Sequence, residues 1–183
     1  MANYRRCYVA GGCYFFTLVT EQRAPILAND AARDLLREAI RACQRQWPFT
    51  VNALVLLPDH LHAILTLPAG DCDYSKRWGF IKKYFTHHWL AANGVEQSVS
   101  LSRQHQRRRG VWQRRFWEHA LRDERDYQRH LDYLHYNRVK HGLVSAVVDW
   151  PYCSFHRFVN DGFYFPHWGR DMAADFDVFE GGE

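Results

Sequence analysis

Two apolar runs, TVNALVLL at 50–57 and HLHAILTL at 60–67, are separated only by Pro58 and Asp59. Each has strand length and the link is too short for a helix or a crossover, so the chain must double back as a tight strand pair. The rest of the sequence has to build around that pair. GCYFFTLVT at 12–20 is aromatic and β-branched, the composition of a further strand. Asn29 and Asp30 can cap a helix over about 31–46, in which Leu35, Leu36, Ala39, Ile40 and Cys43 recur at helical spacing. A second helix over about 75–92 turns Trp78, Ile81, Phe85 and Trp89 inward and leaves Lys76, Lys82 and Lys83 to face out. Residues 93–111 carry no periodicity and read as a mobile loop, after which RFWEHAL at 115–121 reads as a strand. Asp123 with Asp126 marks the start of a last helix that Gly142 ends. The order predicts an α+β fold, a ferredoxin-like βαββαβ antiparallel sheet with an additional C-terminal helix. The segment from 147 onward, aromatic with Gly and Pro, is expected to be ordered against the domain without being helical.

At 183 residues and 47% hydrophobic, the chain can fill one core, and a single domain is expected. No apolar stretch is long enough for a membrane span or a signal peptide, which predicts a soluble, cytoplasmic protein. Five scattered cysteines with no C-x-x-C pair indicate neither a disulfide framework nor a thiolate zinc site. The net charge of +4 is unevenly spread. Residues 171–183 hold five acids and no base, whereas RQHQRRRGVWQRR at 103–115 holds six arginines and no acid. Such a run reads either as a solvated loop or as a segment lying against a polyanion.

The candidate chemistry sits in two places. On a strand, residues two apart share a face, so His60 and His62 set two imidazoles side by side, able to chelate one divalent metal. Alone, an H-x-H pair also fits surface or hydrogen-bonded histidines. On the last helix Tyr133 and Asn137 are four apart and share a face that His130, Lys140 and Asp126 extend, with Tyr127, Leu131, Leu134 and Val139 on a core-facing side. The stripe fits a wet helix face, or a nucleophile with a metal ligand one turn later. A phenol with its ordinary pKa near about 10 needs a metal-polarised phosphate or a nearby cation, such as Lys140, to attack phosphorus. Two imidazoles and an amide oxygen make a neutral set with open positions, suited to Mg²⁺ or Mn²⁺.

Six segments together, in this order and spacing, resemble the REP-associated tyrosine transposases, within the single-tyrosine HUH endonuclease superfamily. They are Y-R-R at 4–6, G-G-C-Y-F-F-T at 11–17, L-P-D-H-L-H at 57–62, W-Q-R-R-F-W-E-H at 112–119, H-L-D-Y-L-H-Y-N-R-V-K-H-G at 130–142 and D-W-P-Y-C-S-F-H-R at 149–157. The resemblance implies that His60 and His62 are metal ligands, Asn137 the third ligand and Tyr133, directly after Asp132, the nucleophile, in preference to Tyr127 or Tyr136. Lys140 and His130 are expected in support. It implies a catalytic core over about 8–145 and a recognition tail over about 147–183. The partner implied is single-stranded DNA carrying a palindromic REP-like hairpin with a GTAG-type tetranucleotide at its foot, bound by a monomer or a dimer in the nucleoid. Expected DNA contacts are Arg5, Arg6, Lys82, Lys83, Arg107, Arg108, Arg109, Arg114, Arg115, His119 and Arg138. Two positions depart from the family pattern, Arg138 where proline is usual and Cys153 where serine is frequent. The activity implied is metal-dependent cleavage and strand transfer through a 5′-phosphotyrosine. The alternatives are a catalytically silent hairpin-binding protein and a phosphoesterase that uses activated water.

Overall fold

The computed structural model describes residues 6–170, so Arg5 and the acidic segment 171–183 lie outside the described residues. The link at Pro58 and Asp59 joins an antiparallel pair, β2 (Thr50–Leu56) and β3 (His60–Thr66), with Leu56 opposite Leu61. β1 (Cys13–Val19) pairs with the other side of β3, and β4 (Trp117–Ala120) with the free side of β1. The strand order β2-β3-β1-β4, antiparallel throughout, is the expected ferredoxin-like sheet.

Because side chains alternate along a strand, the sheet has two dressed faces. Tyr14, Phe16 and Leu18 of β1 and Leu61, Ala63 and Leu65 of β3 pack under α1 (Asp30–Gln46) and α2 (Tyr74–Ala91). The helix stripes are those read from the sequence, with Leu36, Ala39, Ile40 and Cys43 on α1 and Trp78, Ile81 and Phe85 on α2 fully covered. Asn29 caps α1 by accepting from Ala32 N at 3.2 Å. The opposite face carries Phe15, Ala53, Val55 and Ile64 and is covered by α4 (Glu124–Lys140). Asp123 caps α4, accepting from Asp126 N at 2.8 Å, and the helix stops where Gly142 takes a positive φ of 66°. No helix among the described residues is long and apolar enough to cross a membrane. All five cysteines are free.

Three expectations require correction. The stretch 93–111 is not a bare loop but carries structure and long-range ties. It contains a short helix, α3 (Leu101–His105), Arg103 grips Glu21 through two bonds of 2.8 and 2.7 Å, and Arg109 grips Glu96 likewise. Gln97 N also donates to Gly110 O at 2.8 Å. A Cβ added at Gly110 would stand 1.8 Å from the Gln97 carbonyl oxygen. Gly110→Ala must therefore open this junction, and thermal or urea unfolding should record a loss of about 3 kcal/mol or more. A loss under about 0.5 kcal/mol would mean the two segments are not held together. Second, the segment after 147 is ordered but includes a helix, α5 (Phe155–Asn160). Its approach runs along the β2 edge, with Leu56 N donating to Tyr152 O at 2.9 Å and Ser154 N to Leu54 O at 2.8 Å. Third, of the two readings of the α4 polar stripe the wet face fails, since Asp126, His130, Tyr133 and Asn137 are buried and of the stripe only Lys140 is exposed. The C-terminal segment packs Val147, Phe155 and Tyr164 against Leu131 and Leu134, which leaves the stripe with Tyr133 and Asn137 to press on the sheet.

Candidate metal centre and nucleophile

His60 and His62 project from β3 toward α4, on the side opposite Leu61 and Ala63, and both are buried. Each ring is held through Nδ1. Asp59 Oδ1 lies 2.6 Å from His60 Nδ1, and Thr17 Oγ1, from the neighbouring strand, 2.9 Å from His62 Nδ1. The Asp59 carboxylate must accept, so His60 Nδ1 donates to it, and the buried Nε2 on the other side of the ring has no hydrogen-bond partner among the described residues. A carboxylate or hydroxyl behind a histidine is the usual support of a metal-ligating imidazole. Burial alone would raise the Asp59 pKa, yet bonds and charge from His60 and Arg23 outweigh it and bring it to about 2, so the anchor stays ionised at any ordinary pH.

The two imidazoles stand 5.0 Å apart, centroid to centroid, with the Tyr133 ring 5.5 Å from His62. Phe15 backs both, 5.4 Å from His62 and 5.9 Å from Tyr133. Lys140 reaches over the Tyr133 ring, its Nζ 5.6 Å from the centroid. Asn137, one turn beyond Tyr133, is fully buried. His141 packs 5.5 Å from His60, a neighbour the sequence reading did not single out although it stands eight residues past Tyr133 on the same stripe. Tyr127 and Tyr136 are only partly buried, packed against the same cluster of which Tyr133 is a buried member.

His130 belongs to a second constellation. His119 Nε2 lies 2.9 Å from Asp126 Oδ2, and His130 Nδ1 donates to the Asp126 carbonyl at 2.8 Å. Three possible ligand atoms of His119, Asp126 and His130 lie within 4.8 Å of one another. Asp126 Oδ2 also accepts from Arg122 N and Nε, each at 3.1 Å. Burial would raise the Asp126 pKa, but the bonds from His119 and Arg122 prevail and hold it at about 2. These hydrogen bonds account for the cluster as a clamp between β4 and the first turn of α4.

The predicted DNA contacts divide by location. Arg6, Lys82, Lys83, Arg107, Arg108, Arg109 and Arg114 line one open groove of about 770 Å³ on the α2 side of the molecule. Arg115 is exposed outside it. Lys82 does not face freely out. Its ammonium donates to the carbonyls of Gln113 and Arg114, and burial, with Arg6 nearby, lowers its pKa to about 8. Arg138 is fully buried, so the expected phosphate contact is not available to it. It lies beside the Cys153 thiol, whose pKa burial raises and Arg138 lowers. The two departures from the family pattern are thus spatial neighbours.

No family model matches the chain. It is 44% identical to the REP-associated tyrosine transposase of Escherichia coli (strain K12) over 181 residues, 98% of each chain. It is 42% identical to a putative REP-associated tyrosine transposase of Haemophilus influenzae over 169 residues, 92% of this chain and 94% of the relative. Among solved structures it resembles a REP-associated tyrosine transposase bound to a REP hairpin, with a TM-score of 0.81 and 43% identity, over 100% of this chain and 98% of the other.

Proposed function

The chain belongs to the REP-associated tyrosine transposases, and from that premise we propose that it cleaves and rejoins single-stranded DNA at REP-type hairpins, with Tyr133 as the nucleophile. The observation that carries this reading is the placement of the Tyr133 ring 5.5 Å from one member of a buried imidazole pair. His60, His62 and Asn137 would hold the divalent metal. The donor set suits a divalent ion, being anchored from behind at both Nδ1 atoms and furnished with a buried Nε2 on His60, and an ion held by only two imidazoles and an amide would keep positions for phosphate oxygens, the ligands Mg²⁺ and Mn²⁺ prefer. When bound, the ion supplies Lewis-acid polarisation of the scissile phosphate. Tyr133 Oη loses its proton and bonds to phosphorus, while the P–O3′ bond breaks and the departing oxygen leaves as a 3′-hydroxyl. The product is a 5′-phosphotyrosine, which a second 3′-hydroxyl resolves by the reverse attack. Lys140 favours the phenolate by charge. A hairpin oligonucleotide labelled on the 3′ side of the cut should yield a protein-linked band with Mn²⁺ and none with EDTA. Cleavage without such a band would point to activated water as the nucleophile.

The basic groove is the surface offered to the phosphate backbone, since eight of its side chains are lysine or arginine and, among the described residues, only two of them, Arg103 and Arg109, are paired with carboxylates, Glu21 and Glu96. Lys82 gives this surface a pH signature. Its folded pKa is about 8, below the ordinary lysine value, so its charge is present below pH 8 and lost as pH rises through that value. Hairpin affinity should accordingly fall between pH 7 and 9, and Lys82→Arg, which stays charged, should flatten the profile. A profile identical in the two proteins would remove Lys82 from the contact surface.

A further inference from the structure

We infer that Trp117, on the edge strand β4, is a stacking platform for an unpaired nucleobase of the DNA strand that enters the candidate centre. The inference rests on the DNA-processing reading above and adds a residue and a contact to it.

Trp117 lies in the same cross-strand row as His62. The register sets His62 opposite Thr17, and Thr17 opposite Trp117, so the indole stands two strand spacings, about 10 Å, from the metal-ligand candidate. Thr17 itself bonds to His62 Nδ1, so row and site are one structure. On the face toward α4, Trp117 meets Phe15 edge-on at 5.8 Å, and Phe15 packs against His62 and Tyr133.

The indole is also held rigid. His119 stacks parallel to it at 6.0 Å and 7°, and His130 stacks on His119 at 4.6 Å and 13°. The His119 bond to Asp126 locks the middle ring. Such a column ends in an indole that is only partly buried, on a strand whose outer edge has no strand partner among the described residues. A base added to that end continues the stack at little cost in side-chain entropy. Arg114 and Arg115, exposed and without an ion pair among the described residues, precede it and suit the adjoining phosphates. The occupant this chemistry fits is a single strand, because bases in a duplex have no open face to offer.

The test uses Tyr133→Phe as a common background, so that DNA is bound but not cut, and two hairpin oligonucleotides. One is blunt, and the other carries a single-stranded extension containing 2-aminopurine. Trp117→Leu keeps apolar volume without an aromatic face, and Trp117→Phe restores a ring. Trp117→Leu should weaken binding of the extended hairpin by about 5- to 100-fold. The blunt hairpin should bind unchanged, and the quenching of 2-aminopurine should disappear. Trp117→Phe should recover most of both signals. Equal affinity and equal quenching in Trp117→Leu and its parent overturn the platform, as does an equal loss on both hairpins. Failure of the parent to bind either oligonucleotide overturns the DNA-processing reading itself.

Discussion

Replacing Tyr133 with Phe is expected to abolish DNA cleavage while leaving hairpin binding within about threefold of the parent. In the proposed mechanism the hydroxyl is the atom that bonds to phosphorus, so its removal takes away the covalent route altogether. Deleting a nucleophile in other covalent enzymes lowers turnover by several orders of magnitude, and a loss of at least roughly 10⁴-fold is expected here. Folding should survive. The ring is 2% exposed and packs on Phe15 and His62, contacts that Phe keeps, and losing the hydroxyl costs on the order of 0.5–1.5 kcal/mol at most. Tyr136→Phe and Tyr127→Phe should cleave normally, because the proposed nucleophile is Tyr133, whose ring lies 5.5 Å from His62. Cleavage that persists in Tyr133→Phe and vanishes in either of the other two would move the nucleophile.

The sheet and its large helices were legible because each is set by a local pattern. Alternation at 60–66, the stripe from Leu36 to Cys43 and the cap at Asp123 all act within a few residues of themselves. What was missed depends on partners far along the chain. The loop at 93–111 has no periodicity of its own and is fixed by Arg103 reaching Glu21, 82 residues away. α5 spans under two turns, too short to leave a periodic trace. The sides of α4 were misjudged for a related reason. Leu131 and Leu134 announce one apolar side, but the C-terminal segment supplies a second cover, so residues that look like a solvated stripe are interior.

The candidate site follows the same division. His60 and His62 were legible as neighbours because a two-residue spacing on a strand fixes their relation, and Tyr133, Asn137 and Lys140 as one face because a helix does the same. Thr17 carried no signal, since only sheet register brings it opposite His62. Arg138 was misassigned because a charged residue near a proposed active site suggests a phosphate partner, and nothing local reveals that α4 turns it inward beside Cys153.

Removing either histidine should separate metal binding from DNA binding and decide which cluster holds the ion. If Mn²⁺ binds the folded protein alone, saturation at about 100 times its dissociation constant adds about 2.7 kcal/mol. For a chain of this size that is a rise of roughly 5–10 °C in melting temperature. His60→Ala and His62→Ala should lose that rise and cleave at least about a hundredfold more slowly, because Lewis-acid stabilisation contributes several kcal/mol to the barrier. Hairpin affinity, which is proposed to reside in the groove on the α2 side, should remain. His119→Ala is the essential companion, since His119, Asp126 and His130 also bring three ligand atoms together. It should keep the Mn²⁺-induced rise, because the hydrogen bonds from His119, Arg122 and His130 already satisfy that cluster. A rise retained in the His60 and His62 variants but lost in His119→Ala would place the metal between β4 and α4, and Tyr133 would then need another source of phosphate polarisation.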